Sequence, residues 1–198
     1  MPEALRWNAA TIWVGPRTHV VHYPLRGSQV FNLVATSHGS HASGEHNIPT
    51  DPREVLPLFE HLCDEPRRLM RTPAAFHRWV LCDREPVENW TRGNVTLLGD
   101  AAHPMLQYFA RGACMALEDA VCLAQKATRS RRKLADAMLR YQQRRVSRTA
   151  RVQISSRLLG DIYHAAGTLR LVRRDMYGSR AQTEFLRSLD WIYGYRAA

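Results

Sequence analysis

The chain has 198 residues, 45% hydrophobic and 23% charged, a balance that excludes a wholly disordered, collagen-like or disulfide-scaffold protein. No apolar run approaches the roughly 20 residues of a membrane span, residues 1–17 lack a signal peptide's apolar core, and Cys63, Cys82, Cys114 and Cys122 form no CxxC pair; we expect a cytoplasmic protein with reduced, buried thiols, no membrane association and no zinc site. The net charge of +10 is lopsided, −2 over residues 1–125 and +12 over 126–198, and with no nucleic-acid motif in the basic part we read it as a solvated helical face, or one that docks on an acidic partner, and not as a nucleic-acid binder.

Three early stretches read as strands: Thr11–Val14, His19–Leu25 and Gln29–Thr36. The last two are β-branched and aromatic, and Arg26-Gly27-Ser28 between them predicts a hairpin. Alternation puts His19, Val21 and Tyr23 on one face of the second strand, and Val20 and His22 on the other. Residues 37–49 (SHGSHASGEHNIP) read as a surface loop, whose His38, His41 and His46 lack the regular spacing of metal ligands.

A helix is predicted next, capped by Thr50 or Asp51, with Pro52 in its first turn and an apolar stripe of Val55, Leu58, Phe59 and Leu62. Trp79–Cys82 reads as a strand and Pro86–Gly93 as a loop around Trp90. Asn94–Leu98 predicts a compact buried strand ending in Gly99-Asp100, and Gly112 to about Ala127 a helix apolar nearly all round, hence buried. Arg129–Lys133 is a charged break. Leu134–Ile154 carries Leu134, Met138 and Tyr141 on one helical face, and the remainder to Tyr195 reads as helical.

The chemistry concentrates in residues 94–120, NVTLLGDAAHPMLQYFARGACMALEDA. A strand delivers an acidic residue at its C-terminal end, where ligands bind in α/β layers. A turn then enters a helix whose first N–H groups and positive dipole suit an electron-rich ligand. Glycine at that helix start lets a flat ligand approach the backbone. On the same residues, Asp100 is also an ordinary turn former, His103 a turn histidine beside Pro104, and Tyr108 and Phe109 packing residues.

NVTLLGDAAHPM followed by GACMALEDA resembles the second flavin-binding motif of the class A flavoprotein aromatic hydroxylases, the p-hydroxybenzoate hydroxylase-like family. The flanking WVGPRTHVVHYPLR…FNLVA and DREPVENWTRGNVTLLGD are similar to its salicylate hydroxylase and 3-hydroxybenzoate 6-hydroxylase branch. The resemblance implies an α+β chain with a partial p-hydroxybenzoate hydroxylase-like fold. Substrate-domain strands and a helix would occupy 1–93, the second FAD-binding strand and helix 94–128, and basic C-terminal helices 129–198. It implies that Asp100 hydrogen-bonds the ribityl chain of FAD, that Pro104 lies against the isoalloxazine ring, and that the Gly112 and Ala113 N–H groups face the flavin N1/O2 edge. On the substrate side it implies a histidine and a tyrosine four residues apart, matched by His19 and Tyr23 about 13 Å apart on an extended strand, and a glutamine matched by Gln107. His19 would accept a phenol proton and Gln107 would orient the hydroxyl.

The implied activity is FAD-dependent, NAD(P)H-using hydroxylation of a hydroxybenzoate-type aromatic acid with O2. Two departures qualify it. No GxGxxG occurs, so the N-terminal Rossmann βαβ that would cradle the pyrophosphate is missing. The expected partner is then a separate N-terminal flavin-binding half, with a homodimer also open, and the alternative is a catalytically inactive truncated remnant or an interaction module. Arg111 stands where relatives carry glutamine; facing anionic flavin, a substrate carboxylate or solvent are all open roles. A third reading, nucleic-acid binding by the arginine-rich tail, predicts retention on DNA that falls steeply with salt.

Overall fold

β-branched and aromatic side chains that alternate in and out build a meander of three antiparallel strands: β1 (Thr11–Gly15), β2 (Thr18–Leu25) and β3 (Val30–Ser37), in that order across the sheet. The computed structural model describes residues 7–39, 46–129 and 134–197, and the chain divides into two compact units. The first unit comprises residues 1–80 and 161–175, the second 81–160 and 176–198.

In the first unit the predicted hairpin forms between β2 and β3, with Arg26, Gly27 and Ser28 all at positive φ in the turn. Val20 on the inward face of β2 meets Phe59, Leu62 and Met70 in the core, with Trp13, Leu33 and Phe76 packed around them. His22 shares that face, stacked on Trp13 and accepting a hydrogen bond from its indole N–H.

The predicted helix over residues 51–62 is broken. Asp51 caps it as expected, its carboxylate accepting the Arg53 N–H at 2.7 Å, but α1 (Pro52–Val55) is a single turn. Leu56–Phe59 tightens into a 3₁₀ turn because Pro57 has no N–H to donate back along the helix. α2 (Asp64–Met70), with acidic residues in its first turn, was not anticipated. The loop reading of residues 37–49 fails at its end. β4 (His46–Thr50) pairs antiparallel with β5 (Phe76–Trp79), a bulge at Asn47 (φ 62°) absorbing the irregular sequence. The strand expected at 79–82 therefore lies three residues earlier. Residues 40–45, including His41, lie outside the described residues.

In the second unit, β6 (Thr91–Arg92) and β7 (Val95–Thr96) form a two-residue ladder. This corrects the buried strand expected at 94–98: among the described residues β7 has one strand partner, and Val95 is 68% exposed. α3 (Gly112–Arg129) corrects a second expectation. Met115, Glu118, Asp119 and Cys122 are buried, but Ala113, Leu117, Ala120, Val121 and Ala124 form an apolar stripe open to solvent, Leu117 at 67%.

The long α4 (Leu134–Tyr163) buries Ala137, Tyr141, Arg145, Thr149, Val152, Gln153, Ser156 and Gly160 at helical spacing. Leu134, expected on this stripe, is exposed. The stripe is largely polar, which hydrophobic periodicity alone cannot reveal. α5 (Gly167–Gly178), α6 (Gln182–Ser188) and α7 (Asp190–Tyr193) follow. Ile192 completes a core with Met115 and Val152, while Trp90, Ala102, Cys122 and Tyr141 form another.

The solvated basic face also needs correction, since Arg145 is fully buried and Arg148 pairs with Glu118 and stacks on Tyr195. All four cysteines are free, as expected, but Cys63 and Cys82 are exposed rather than buried. No described helix is long and apolar enough to cross a membrane.

Candidate functional site

In the second unit, β7 leads into a 3₁₀ turn at Gly99–Ala101 that starts from Gly99 at φ 61°. A Cβ at Gly99 would sit 3.2 Å from that of Ala116, so glycine answers both the backbone conformation and the close approach of α3. Asp100 is exposed on this turn. Its Oδ1 lies 3.9 Å from where a Gly112 Cβ would be, so the carboxylate and the mouth of α3 face one another.

A second 3₁₀ turn, Gln107–Phe109, ends at Ala110 in the left-handed region (φ 52°), which redirects the chain into α3. The first helical bond runs from Met115 N–H to Arg111 C=O at 2.8 Å. The N–H groups of Gly112, Ala113 and Cys114 precede it and point out of the helix start, where the macrodipole is positive.

A buried ionic network fixes this turn. Asp119 accepts the Gly99 N–H at 3.1 Å, the His103 Nε2–H at 2.5 Å and the Arg145 Nε–H at 2.6 Å. Arg145 also donates to Glu118 at 2.7 Å, and Arg148 and Arg111 donate to the same carboxylate. Burial alone would push the Asp119 carboxyl up, but hydrogen bonds from His103, Arg145 and Gly99 outweigh it and hold the group below its ordinary range. Gln153 donates to the Pro104 carbonyl at 2.9 Å, and Arg84 donates to the carbonyls of Ala101 and Ala102. Backbone and side chains of α3 and α4 thus grip residues 99–104 from several directions.

Glu118, Asp119, Arg145 and Gln153 are the residues sequence reasoning missed. The available signal was the four-residue step Ala137, Tyr141, Arg145, Thr149, which puts an arginine in a core stripe. His103 is a turn histidine, as read, but only half satisfied: Nε2 donates to Asp119 while the buried Nδ1 meets no partner among the described residues. Tyr108 and Phe109 pack, Tyr108 against Gly160 and Phe109 edge-on to Trp191. Arg111 does not simply reach solvent. Its guanidinium pairs with Glu118 at 3.1 Å and lies 5.5 Å from the Tyr193 ring.

His19 and Tyr23 lie in the first unit on β2, opposite Thr36 and Asn32, while Gln107 is exposed on the second 3₁₀ turn of the second unit. His19 is 2% exposed, and its Nδ1 lies 2.8 Å from His164 Nε2. Burial, then the neighbouring His164 and His38, lower its pKa to about 4. The structure therefore brings Asp100 to Gly112, and His19 to a second histidine distant in sequence.

Comparison with known proteins gives one family match, described as FAD binding domain, over residues 14–155. The 3-hydroxybenzoate 6-hydroxylase of Polaromonas naphthalenivorans (strain CJ2) is 46% identical over 98% of this chain and 48% of its own length. The 3-hydroxybenzoate 6-hydroxylase 1 of Aquipseudomonas alcaligenes is 47% identical over 98% of this chain and 49% of its own. Among solved structures, a salicylate hydroxylase substrate complex superposes with a TM-score of 0.83 and 26% identity, covering 100% of this chain and 49% of that one. The chain spans about half the length of the relatives it matches.

Proposed function

Because the chain belongs to the FAD binding domain family, we propose that it is the C-terminal portion of an FAD-dependent, NAD(P)H-using monooxygenase that hydroxylates a hydroxybenzoate-type aromatic acid. The observation that carries this reading is Asp100 Oδ1 standing across the start of α3 from Gly112, within a turn gripped by a buried network. The residues present fit the sugar-alcohol and ring end of FAD. An exposed carboxylate accepts polyol hydroxyls, and Gly112 leaves open the space a side chain would enter. They do not supply a pyrophosphate cradle, because GxGxxG is absent from the sequence. The reading needs that motif from outside these 198 residues, on the same polypeptide or on a separate half.

Asp100 would hold the polyol chain, Pro104 would lie against the ring, and the Gly112 and Ala113 N–H groups, backed by the α3 dipole, would meet the ring's electron-poor edge and favour negative charge there. Bound FAD, reduced by NAD(P)H, supplies the oxygen chemistry. His19 would receive the substrate's phenol proton, which enriches the ring for attack, with Tyr23 beside it on β2.

Co-expression with an N-terminal half carrying GxGxxG tests this. The expected result is a yellow complex that oxidises NAD(P)H in the presence of 3-hydroxybenzoate, with Asp100→Ala losing flavin at least tenfold more readily. A colourless complex inert to NAD(P)H sinks the reading. A second reading, an interaction module without catalysis, draws on the open apolar stripe of α3 together with the missing cradle. It expects the two halves to co-purify without flavin.

A further inference from the structure

The last helical turn of the chain closes over the start of α3, within the second unit. Ile192 on α7 is fully buried against Met115 and Val152, which pins α7 to the first turn of α3 and to α4. Arg148 donates to the carbonyls of Trp191 at 2.6 Å and Ile192 at 3.1 Å, the end of a four-residue helix whose carbonyls have no partner further along it. The next residue, Tyr193, is thereby delivered to the entrance of α3.

There the Tyr193 hydroxyl donates to the Phe109 carbonyl at 3.0 Å, and the Arg111 guanidinium stands 5.5 Å from the Tyr193 ring centroid. One side chain holds both neighbours of Ala110, the left-handed residue that turns the chain into α3. Trp191 adds an edge-on contact with Phe109, the ring centroids 6.1 Å apart. The contacts close into a circuit. Arg111 and Arg148 both donate to Glu118 Oε1, at 3.1 and 3.2 Å, so the path runs from Tyr193 through Arg111, Glu118 and Arg148 back to the carbonyls of α7.

Burial does not force this arrangement on Tyr193, because its side chain is 52% exposed while Ile192 beside it is 0% exposed. Partial burial raises the Tyr193 pKa against the pull of the Arg111 charge, so the phenol keeps its proton and donates to a carbonyl that can only accept. The hydrogen bonds of Asp119, Arg84 and Gln153 grip residues 99–104, which carry Asp100 and Pro104. Tyr193 does the same for residues 109–111. That segment decides where the start of α3 points. The Gly112 and Ala113 N–H groups precede the first helical bond, so their direction follows the peptide planes on either side of Ala110.

We propose that Tyr193 is a positioning residue for the flavin: from the C-terminal turn it fixes the backbone at 109–111 and so aims the Gly112 and Ala113 N–H groups at the electron-poor edge of the ring. The second half of this statement rests on the FAD reading above. The first half concerns the 198-residue chain alone and can be tested on it.

Tyr193→Phe keeps the ring beside Arg111 and removes only the hydroxyl; Tyr193→Ala removes both. In hydrogen exchange followed by NMR on the 198-residue chain, the reporters are the Met115 amide, bonded to the Arg111 carbonyl at 2.8 Å, and the Ala110 amide, bonded to the Gln107 carbonyl at 2.7 Å. Both should exchange about fivefold faster in Tyr193→Phe, the weight of one hydrogen bond, and at least tenfold faster in Tyr193→Ala, while the amides of residues 118–126 keep their rates. Unchanged exchange at Met115 and Ala110 in both variants overturns the proposal. Exchange that rises equally through residues 118–126 makes Tyr193 a general stabiliser of α3 and overturns it too. In the assembly with an N-terminal half, FAD release followed by flavin fluorescence should be about fivefold faster in Tyr193→Phe, and unchanged release overturns the role toward the flavin. Failure of the wild-type assembly to bind FAD overturns the FAD reading, and the hold of Tyr193 on the α3 entrance is then decided by the exchange results.

Discussion

Each unit buries histidines, and each treats them differently. In the second unit His103 donates to Asp119, a carboxylate that also grips Arg145 and the Gly99 N–H. In the first unit the His19 ring meets the His164 ring, and the His164 ring meets that of His38. A carboxylate accepts and never donates, so it locks its histidine in one tautomer and the assembly serves as a clamp. An imidazole accepts as well as it donates, so a row of them reads the same with every proton shifted by one place. Burial alone does not say how a histidine is held; the chemistry of the partner does.

The largest test of this contrast is Asp119→Ala. It strands Arg145 in the core and frees the Gly99 turn, and we expect a loss of about 3–5 kcal/mol in urea unfolding. His164→Leu, which removes the ring contacts with His19 and His38, should cost about 1–2 kcal/mol. Equal costs would erase the distinction between clamp and row.

Acid separates the units next. His19 and His164 have folded pKa values of about 4, below the unfolded value near 6.5, so the unfolded chain binds more protons between those limits. Their stability contribution is complete above pH 6.5 and declines as pH falls towards 4, on the order of 3 kcal/mol at most for each ring. Asp119 is depressed below the ordinary carboxylate value, so its contribution persists down to about pH 4 and fades only below that. Hydrogen exchange resolved by segment should show residues 11–37 loosening first, and loosening of both units at one pH would refute the assignment.

Gly160→Ala probes the packing of α4 beneath the second 3₁₀ turn. Its Cβ would lie 2.7 Å from the Tyr108 ring, an overpacking expected to cost about 1–3 kcal/mol in thermal unfolding. The smallest effect belongs to Leu117→Lys on the open stripe of α3. We expect stability within about 0.5 kcal/mol of the parent chain, because the side chain is 67% exposed. A larger loss would mean that the stripe is covered.

Local signals carried what was local. The β2–β3 hairpin, the Asp51 cap and the inward turn of His22 follow from neighbouring residues, and the strand–turn–helix path is legible because its chemistry lies within 27 consecutive positions. The helix break at Pro57 was also written locally, but the apolar stripe masked it. β4 with β5 was not legible, because a bulged strand with little alternation declares itself only once its partner, some thirty residues on, is in place. The histidine row spans 126 and 145 positions of sequence separation, and the Asp119–Arg145 pair joins two helices. Both depend on tertiary approach, to which periodicity is blind. The apolar run at 94–98 and the apolar sequence of α3 were read as fully buried; Val95 and Leu117 show that apolar composition does not say how many sides are covered.

Ala110 shows how little a constraint can weigh in a denaturation curve. At φ 52° a methyl-bearing residue carries roughly 1 kcal/mol of strain that glycine would relieve. Glycine would also enlarge the entropy of the unfolded ensemble by a comparable amount. The two nearly cancel, so a screen for melting temperature would pass over this position. What the methyl group alters is the breadth of the hinge's conformational distribution: with alanine the entrance to α3 is held to one narrow basin, a gain in pre-organisation that only a kinetic or ligand-affinity measurement would register.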